Sequence, residues 1–204
     1  KFKDKRIKYF LSPKHEKLYN ARNSAIKKAK GKFIAFLDTD DTWKRNKLNL
    51  QINHLKKTKS DICFTNYLIN KNKREYAFKK NLHSRNINNQ ILNEYPIGIL
   101  TVLMKANIFF RNKIFFNKNY EIIGDFDFVI SLSKKKKIGS IQEPLAIYRD
   151  HKDNTSKKKI DLYIKEVSSW IKDNEVNLRI FSNLFNLKFY LFKLKIKKLF
   201  KYGH

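Results

Sequence analysis

The chain has 204 residues, of which 42% are hydrophobic and 14% aromatic, enough for one domain with a sizeable core and too apolar for a disordered polymer. Lysines and arginines number 46 against 18 acids, a net charge of +28. A lone cysteine, Cys63, excludes an internal disulfide or a cysteine zinc cluster, and no apolar run reaches the length of a membrane-crossing helix.

Residues 5–11 read as a strand, and Ser12-Pro13-Lys14-His15 as a turn. Residues 18–30 predict a helix with Leu18, Ala21, Ala25, Ile26 and Ala29 on one face, ended by Gly31. A strand over 32–37 follows, then a helix over 44–58 with Leu48, Ile52 and Leu55 at helical spacing. A strand over 61–69 encloses Cys63 as a small core residue. This strand–helix–strand–helix–strand order predicts a parallel sheet of the βαβ type. From 70 to 96 Asn, Lys and Arg dominate, with a hairpin expected at Asn72 and a short helix near 86–93. Ile99–Met104 is strand-like, Gly124–Ser133 is a short helix opened by Asp125, and Ile138–Tyr148 is a strand interrupted by Pro144. Helical texture begins after Ser156, so the chain divides into an α/β part, 1–156, and a helical basic part, 157–204.

The charge has two readings. A basic surface suits nucleic acid or anionic lipid. Lys, Asn, Ile, Phe and Tyr are abundant while Gly, Pro and Ala are scarce, which is the signature of an AT-rich genome. The charge is spread along the chain without a nucleic-acid reader motif, so composition is the stronger reading and nucleic acid is not an expected partner.

The most informative segment is Gly31-Lys32-Phe33-Ile34-Ala35-Phe36-Leu37-Asp38-Thr39-Asp40-Asp41-Thr42-Trp43. A buried-strand pattern stops at three carboxylates. Ligands of open parallel sheets bind beyond the carboxyl ends of strands. Two acids at i and i+2 on a bend can converge on one divalent cation, and oxygen ligands of this kind suit Mg²⁺ or Mn²⁺, which hold phosphates. The plainer alternative is a turn in which Asp41 or Thr42 caps the next helix.

Further motifs stand in order around this segment: Ala21-Arg22-Asn23-Ser24-Ala25-Ile26, Ala29-Lys30-Gly31, Lys47-Leu48-Asn49-Leu50-Gln51, Gly124-Asp125-Phe126-Asp127-Phe128, and Tyr148-Arg149-x-His151-x-x-Asn154-x-Ser156. Together they resemble family 2 glycosyltransferases, over roughly residues 5 to 156. The resemblance implies a GT-A fold, a Rossmann-like nucleotide-sugar domain with a mainly parallel sheet. It implies an inverting transfer of a sugar from a UDP- or dTDP-sugar to a glycan or lipid-linked acceptor in surface polysaccharide synthesis. In that frame Asp38 lies near the donor ribose and pyrophosphate, Asp40 holds the metal, and Asp125 is the base that deprotonates the acceptor. His151 and Arg149 approach the metal or the diphosphate. Arg22 and Asn23 lie close to the nucleotide, unless Asn23 serves a local loop. The family often carries Glu-Asp where this chain has Gly124-Asp125, and Asp127 reads as a first-turn helix residue. The family's first strand, helix and nucleobase-holding acids do not precede Lys1, so an N-terminally truncated domain is expected.

Two rivals accompany this reading. Asp38-Thr39-Asp40-Asp41-Thr42 also fits the D-x-D-x-T of haloacid-dehalogenase-type phosphatases, with Asp38 as nucleophile and Asp40 as acid/base. A non-catalytic basic membrane-binding module is the other. Phe185, Phe189, Phe192, Ile196 and Leu199 line one helix face and Lys188, Lys195, Lys198 and Lys201 occupy much of the rest, the pattern of an interfacial helix or of a helix packed on the domain. The expected location is cytoplasmic, peripheral at the inner face of the cell membrane.

Overall fold

A computed structural model describes residues 3–78, 81, 82, 90–92, 95, 97–175 and 181–202. Its strands are β1 (Phe33–Ala35), β2 (Thr42–Trp43), β3 (Ile62–Lys71), β4 (Arg74–Phe78), β5 (Leu103–Lys105) and β6 (Ile138–Asp150). Its helices are α1 (Leu18–Lys28), α2 (Lys47–Thr58), α3 (Asn107–Phe110), α4 (Gly124–Ser133), α5 (Thr155–Lys158), α6 (Ile160–Glu175) and α7 (Phe181–Tyr202), with a 3₁₀ turn at Ile99–Thr101.

The strands form one sheet in the order β1-β5-β3-β6-β2. The long β3 and β6 pair in parallel along their whole length. On its other edge β3 is shared: Ile62 and Cys63 face β5, while Tyr67–Lys71 face β4, both antiparallel. β5 also pairs antiparallel with β1. Strands β1, β3 and β6 therefore run the same way, as a βαβ order requires. The sheet is nevertheless not mainly parallel: among the described strands only β3–β6 pairs in parallel and the other four pairings are antiparallel, because β5 inserts between β1 and β3 in the opposite sense and β2 and β4 run against their neighbours.

The sheet alternates with period two. Ile62, Phe64 and Met104 face a large core that includes Ile26, Ile108, Phe109, Phe116, Phe128 and Trp170. Cys63 and Leu103 face a smaller one closed by Leu55 of α2. The β3–β4 hairpin turns on Asn72 and Lys73, at φ 52° and 63°, a two-residue loop whose left-handed pair matches strand twist. The short helix expected near 86–93 lies mostly outside the described residues; 90–92 are helical. Pro144 does not end β6. It sits opposite Asn66 where the β3–β6 register shifts, so its missing N–H falls at an irregularity.

Several expectations differ from the structure. Residues 7–11 form no strand, and Ile7, Tyr9, Phe10 and Leu11 are exposed, because their apolar pattern meets no ladder partner among the described residues. Ile99–Thr101 is a 3₁₀ turn, and β5 starts only at Leu103. The predicted faces of the two N-terminal helices hold in part: Ile26 and Leu55 are buried as expected, and Ala29 and Ile52 pack against the cores. In α1 the buried side chains are Tyr19, Arg22 and Ile26, and in α2 they are Lys47, Gln51 and Leu55, leaving Leu18 and Leu48 exposed. Apolar periodicity misjudged the rest of these faces because each buries polar residues. Gln51 Nε2 donates to the carbonyls of Cys63 (2.9 Å) and Thr101 (2.8 Å), and its Oε1 accepts from Lys47 Nζ at 2.7 Å. Lys47 also lies over the Trp43 ring, 4.3 Å from its centroid, and burial pushes its ammonium down to about 8.

Candidate active site

The site forms where β1 ends. Phe36-Leu37 leaves the sheet, and a turn closes when Asp41 N–H donates to the Asp38 carbonyl at 3.1 Å. The chain then pairs as β2 with β6, Thr42 opposite Ile147 and Trp43 opposite Ala146. That pairing sets the acid turn beside the end of β6. His151 follows directly, and its Nε2 lies 2.9 Å from Asp40 Oδ2. His151 Nδ1 accepts the Asp153 N–H at 3.2 Å, which leaves Nε2 as the donor to Asp40. Asn154 holds this loop: its Oδ1 accepts the His151 N–H at 2.6 Å and its amide donates to Tyr148 Oη at 2.8 Å. The His151 hydrogen bond holds the Asp40 carboxyl below the usual range.

Asp41 is not a helix cap. Its Oδ1 accepts the Arg149 N–H at 2.9 Å, and the residue before α2 is Asn46. Burial, with Asp40 and Asp38 beside it, pushes the Asp41 carboxyl up to about 6.

Arg22 projects from α1 to the same place. Its Nη2 donates to both oxygens of Asp38, at 2.8 and 3.0 Å. The guanidinium lies among the rings of Tyr19, Phe36 and Phe116, at 5.7, 5.9 and 5.8 Å from their centroids. Its Nη1 is buried with no hydrogen-bond partner among the described residues.

Asp125, the second residue of α4, occupies the other side. Its Oδ1 accepts the Phe126 N–H at 2.9 Å and lies 3.4 Å from Tyr19 Oη, whose firmer bond is to the Ile122 carbonyl at 2.8 Å. Burial raises the Asp125 carboxyl above its ordinary value, and the Arg22 charge opposes that rise. Gly124 has a local reason. A Cβ there would lie 2.5 Å from the Tyr19 ring, so the space beside Asp125 is already filled by an aromatic side chain.

Arg22, Asp38, Asp40, Asp125 and His151 line one cleft of about 420 Å³. Two predicted residues do not join them. Asn23 is spent on the backbone of Phe116, donating to its carbonyl at 2.9 Å and accepting its N–H at 3.0 Å. The Arg149 side chain is exposed outside the cleft lining, while its charge favours ionisation of Asp40 and Asp41. Sequence reasoning missed Tyr19, which had an aromatic helix position as its only signal. It also missed Glu166 of α6, whose carboxylate accepts the N–H groups of Glu121 (2.7 Å), Ile122 (2.9 Å) and Ile123 (3.0 Å). Those are the residues that lead into Asp125. Nothing local marks a glutamate in an amphipathic helix for that task.

A family model described as glycosyl transferase family 2 matches residues 1–116, more than half of the chain. The chain belongs to that family. It is 35% identical over 156 residues to an uncharacterized glycosyltransferase of Rickettsia bellii, covering 76% of this chain and 22% of that protein. It is 39% identical over 108 residues to the Escherichia coli UDP-Glc:alpha-D-GlcNAc-diphosphoundecaprenol beta-1,3-glucosyltransferase WfgD, covering 52% of this chain and 42% of that protein. The chain thus spans less than half the length of these relatives. Among solved structures it resembles S. aureus TarS 1–349 in complex with UDP, at a TM-score of 0.53 and 19% identity, covering 72% of this chain and 44% of that one. This likeness shows the GT-A fold. Family membership favours the transferase over the phosphatase reading of the same acids.

GT-A enzymes generally use a divalent metal. Among the described residues no group of three or more His, Cys, Asp and Glu side chains is gathered as a cation site. One carboxylate and one imidazole, Asp40 and His151, stand in contact at the open side of the cleft. The Asp40 carboxylate suits Mg²⁺ or Mn²⁺, which complete their shell with substrate phosphates and water rather than an all-protein cage; His151 would join as a ligand only on giving up the Nε2 proton that it donates to Asp40.

Proposed function

We propose that this chain carries the donor and base machinery of an inverting glycosyltransferase. It would move a sugar from a UDP- or dTDP-linked donor to a hydroxyl of a glycan or lipid-linked acceptor in surface polysaccharide synthesis. The observation that carries the reading is a single cleft with Asp38, Asp40 and His151 on one side and the Asp125 carboxyl on the other. Two supports come from similar proteins: TarS has been solved with UDP and with UDP-GlcNAc, and WfgD is named for a UDP-glucose donor and a lipid-linked acceptor.

In this reading the acceptor hydroxyl attacks the anomeric carbon opposite the leaving diphosphate. The new C–O bond forms as the bond to the diphosphate oxygen breaks, and the hydroxyl proton passes to Asp125. A carboxylate raised by burial is a stronger base than an exposed one and still gains from the Arg22 charge. Arg22 holds Asp38 through Nη2 and brings its charge to the lining of the cleft. Asp40 and His151 would hold the divalent cation, which neutralises charge on the leaving diphosphate.

Asp125→Asn keeps the shape of the base and removes its proton acceptor. Transfer should fall by about 10²-fold or more, with UDP affinity in calorimetry little changed. Near wild-type turnover in this variant would remove Asp125 from the chemistry.

A second feature bears on location. Helix α7 buries Leu184, Leu187 and Leu191 against the domain and leaves Phe185, Phe189 and Phe192 exposed at 66%, 47% and 58%. Lys193 Nζ lies 4.4 Å from the Phe189 ring centroid. Among the described residues no helix is long and apolar enough to cross a membrane. Aromatic rings beside lysines suit the headgroup boundary of an anionic bilayer. We propose on that ground that the chain attaches peripherally to an anionic membrane surface, at its cytoplasmic face.

A further inference from the structure

A second cavity, of about 460 Å³, meets the first at Asp125 and is closed by α4, α6 and α7. The two share Tyr95, Ile122, Asp125 and Ser156, and none of the acids after β1 lines the second. Tyr95 forms part of the wall between them. Its ring stands edge-on to Phe126, centroids 5.2 Å apart. Its hydroxyl is buried and has no hydrogen-bond partner among the described residues. Its φ of 38° lies in the left-handed region, which an aromatic residue adopts only under strain. An unpaired buried hydroxyl is also unfavourable. Both penalties fall on one residue beside the base, the place where strain is kept for function.

We propose that the second cavity receives the terminal sugar of the acceptor, and that Tyr95 Oη donates a hydrogen bond to it, holding the attacking hydroxyl against Asp125. This rests on the transferase reading above. In-line attack needs the nucleophile on the side of the anomeric carbon away from the diphosphate. Asp38, Asp40 and His151 mark the diphosphate side of the first cleft, so the acceptor approaches from beyond Asp125, through the second cavity. Burial and the Asp125 carboxylate push the Tyr95 hydroxyl well above the usual phenol range, so it keeps its proton and serves as a donor. Phe126, Tyr163, Val167 and Leu187 offer apolar and aromatic faces to a pyranose ring, and the described lining includes no lysine or arginine. The bound end of the acceptor is therefore a neutral sugar, not a phosphate or a uronic acid.

Tyr95→Phe removes only the hydroxyl. The assay uses UDP-glucose as donor and N-acetylglucosamine-diphosphoundecaprenol as acceptor, with Asp125→Asn run beside it. The acceptor KM of Tyr95→Phe should rise about five- to tenfold, the loss of one hydrogen bond, while the UDP affinity measured with Mn²⁺ stays put. The melting temperature should hold or rise, since an orphaned group is gone. An unchanged acceptor KM alongside an inactive Asp125→Asn would overturn the role of Tyr95 and leave the base in place. A weakened UDP affinity would overturn its assignment to the acceptor side. Transfer that survives Asp125→Asn would instead remove Asp125 as the base, and with it the acceptor side assigned from its position.

Discussion

Asp125 is useful to the site and costly to the fold. Burial raises its carboxyl pKa above the unfolded value. Such a group supports folding when protonated; that support is complete below the unfolded pKa and is lost as pH rises through the folded one. At neutral pH the carboxylate therefore destabilises the native state. Asp125→Asn should melt higher than wild type at pH 7, and the advantage should shrink as pH falls and the wild-type carboxyl takes up its proton. A thermal melt series across pH checks this, and an equal melting temperature at pH 7 would contradict it. Asp40 differs: the His151 bond holds its carboxyl down, and it lines the cleft as the ligand proposed for the cation. Asp40→Asn should abolish the Mn²⁺ dependence of UDP binding in calorimetry without unfolding the chain. Unchanged metal-dependent affinity would rule out that role.

At the scale of elements, α6 holds α4, the helix that carries Asp125, in place. Glu166 of α6 collects three N–H groups of the loop before α4. Trp170, one turn on, donates to Asp127 Oδ1 at 2.9 Å and packs edge-on to Phe126, centroids 4.8 Å apart. Residues on both sides of Asp125 are thus fixed from α6. Glu166→Gln replaces one accepting oxygen by a donor facing a donor, and should cost about 2 kcal/mol of stability. It should also lower kcat with little change in donor KM, because the base loses its bearing while the diphosphate side stays intact. A variant with wild-type kcat would show that Asp125 is held by its own helix alone.

For the whole molecule, α7 presents one face to the core and an opposite aromatic face outward. Phe185 and Phe189 stack with centroids 6.1 Å apart in the open. A transferase with a lipid-linked acceptor gains by concentrating at its substrate, and each nearby lysine adds about 1 kcal/mol at an anionic surface. Phe189→Ser combined with Phe192→Ser should abolish flotation with phosphatidylglycerol-containing vesicles while leaving the melting temperature unchanged. A collapsed melting temperature, or no vesicle binding by the parent chain at low salt, would make the helix purely structural.

The sequence by itself determined what is local. The apolar run ending in Asp38-Thr39-Asp40 places the acids at a strand end, Gly124–Ser133 is the helix it promised, and the Asn72 turn is a hairpin, because each follows from neighbours along the chain. The family resemblance carried by the motifs implied His151 near the metal or diphosphate, and its contact with Asp40 is what the fold adds. Tertiary structure decided the rest, for reasons that periodicity does not carry. Strand pairing is a contact between distant residues, so 7–11 stayed unpaired and β5 entered between β1 and β3. Buried polar groups are invisible to a hydrophobic count, so Arg22, Lys47 and Gln51 share the buried faces with the expected Ile26 and Leu55 while Leu18 and Leu48 stay exposed. Side-chain partners are chosen in space: Asn23 went to the Phe116 backbone, the Arg149 side chain to the rim, and Glu166 to the loop that sets the base.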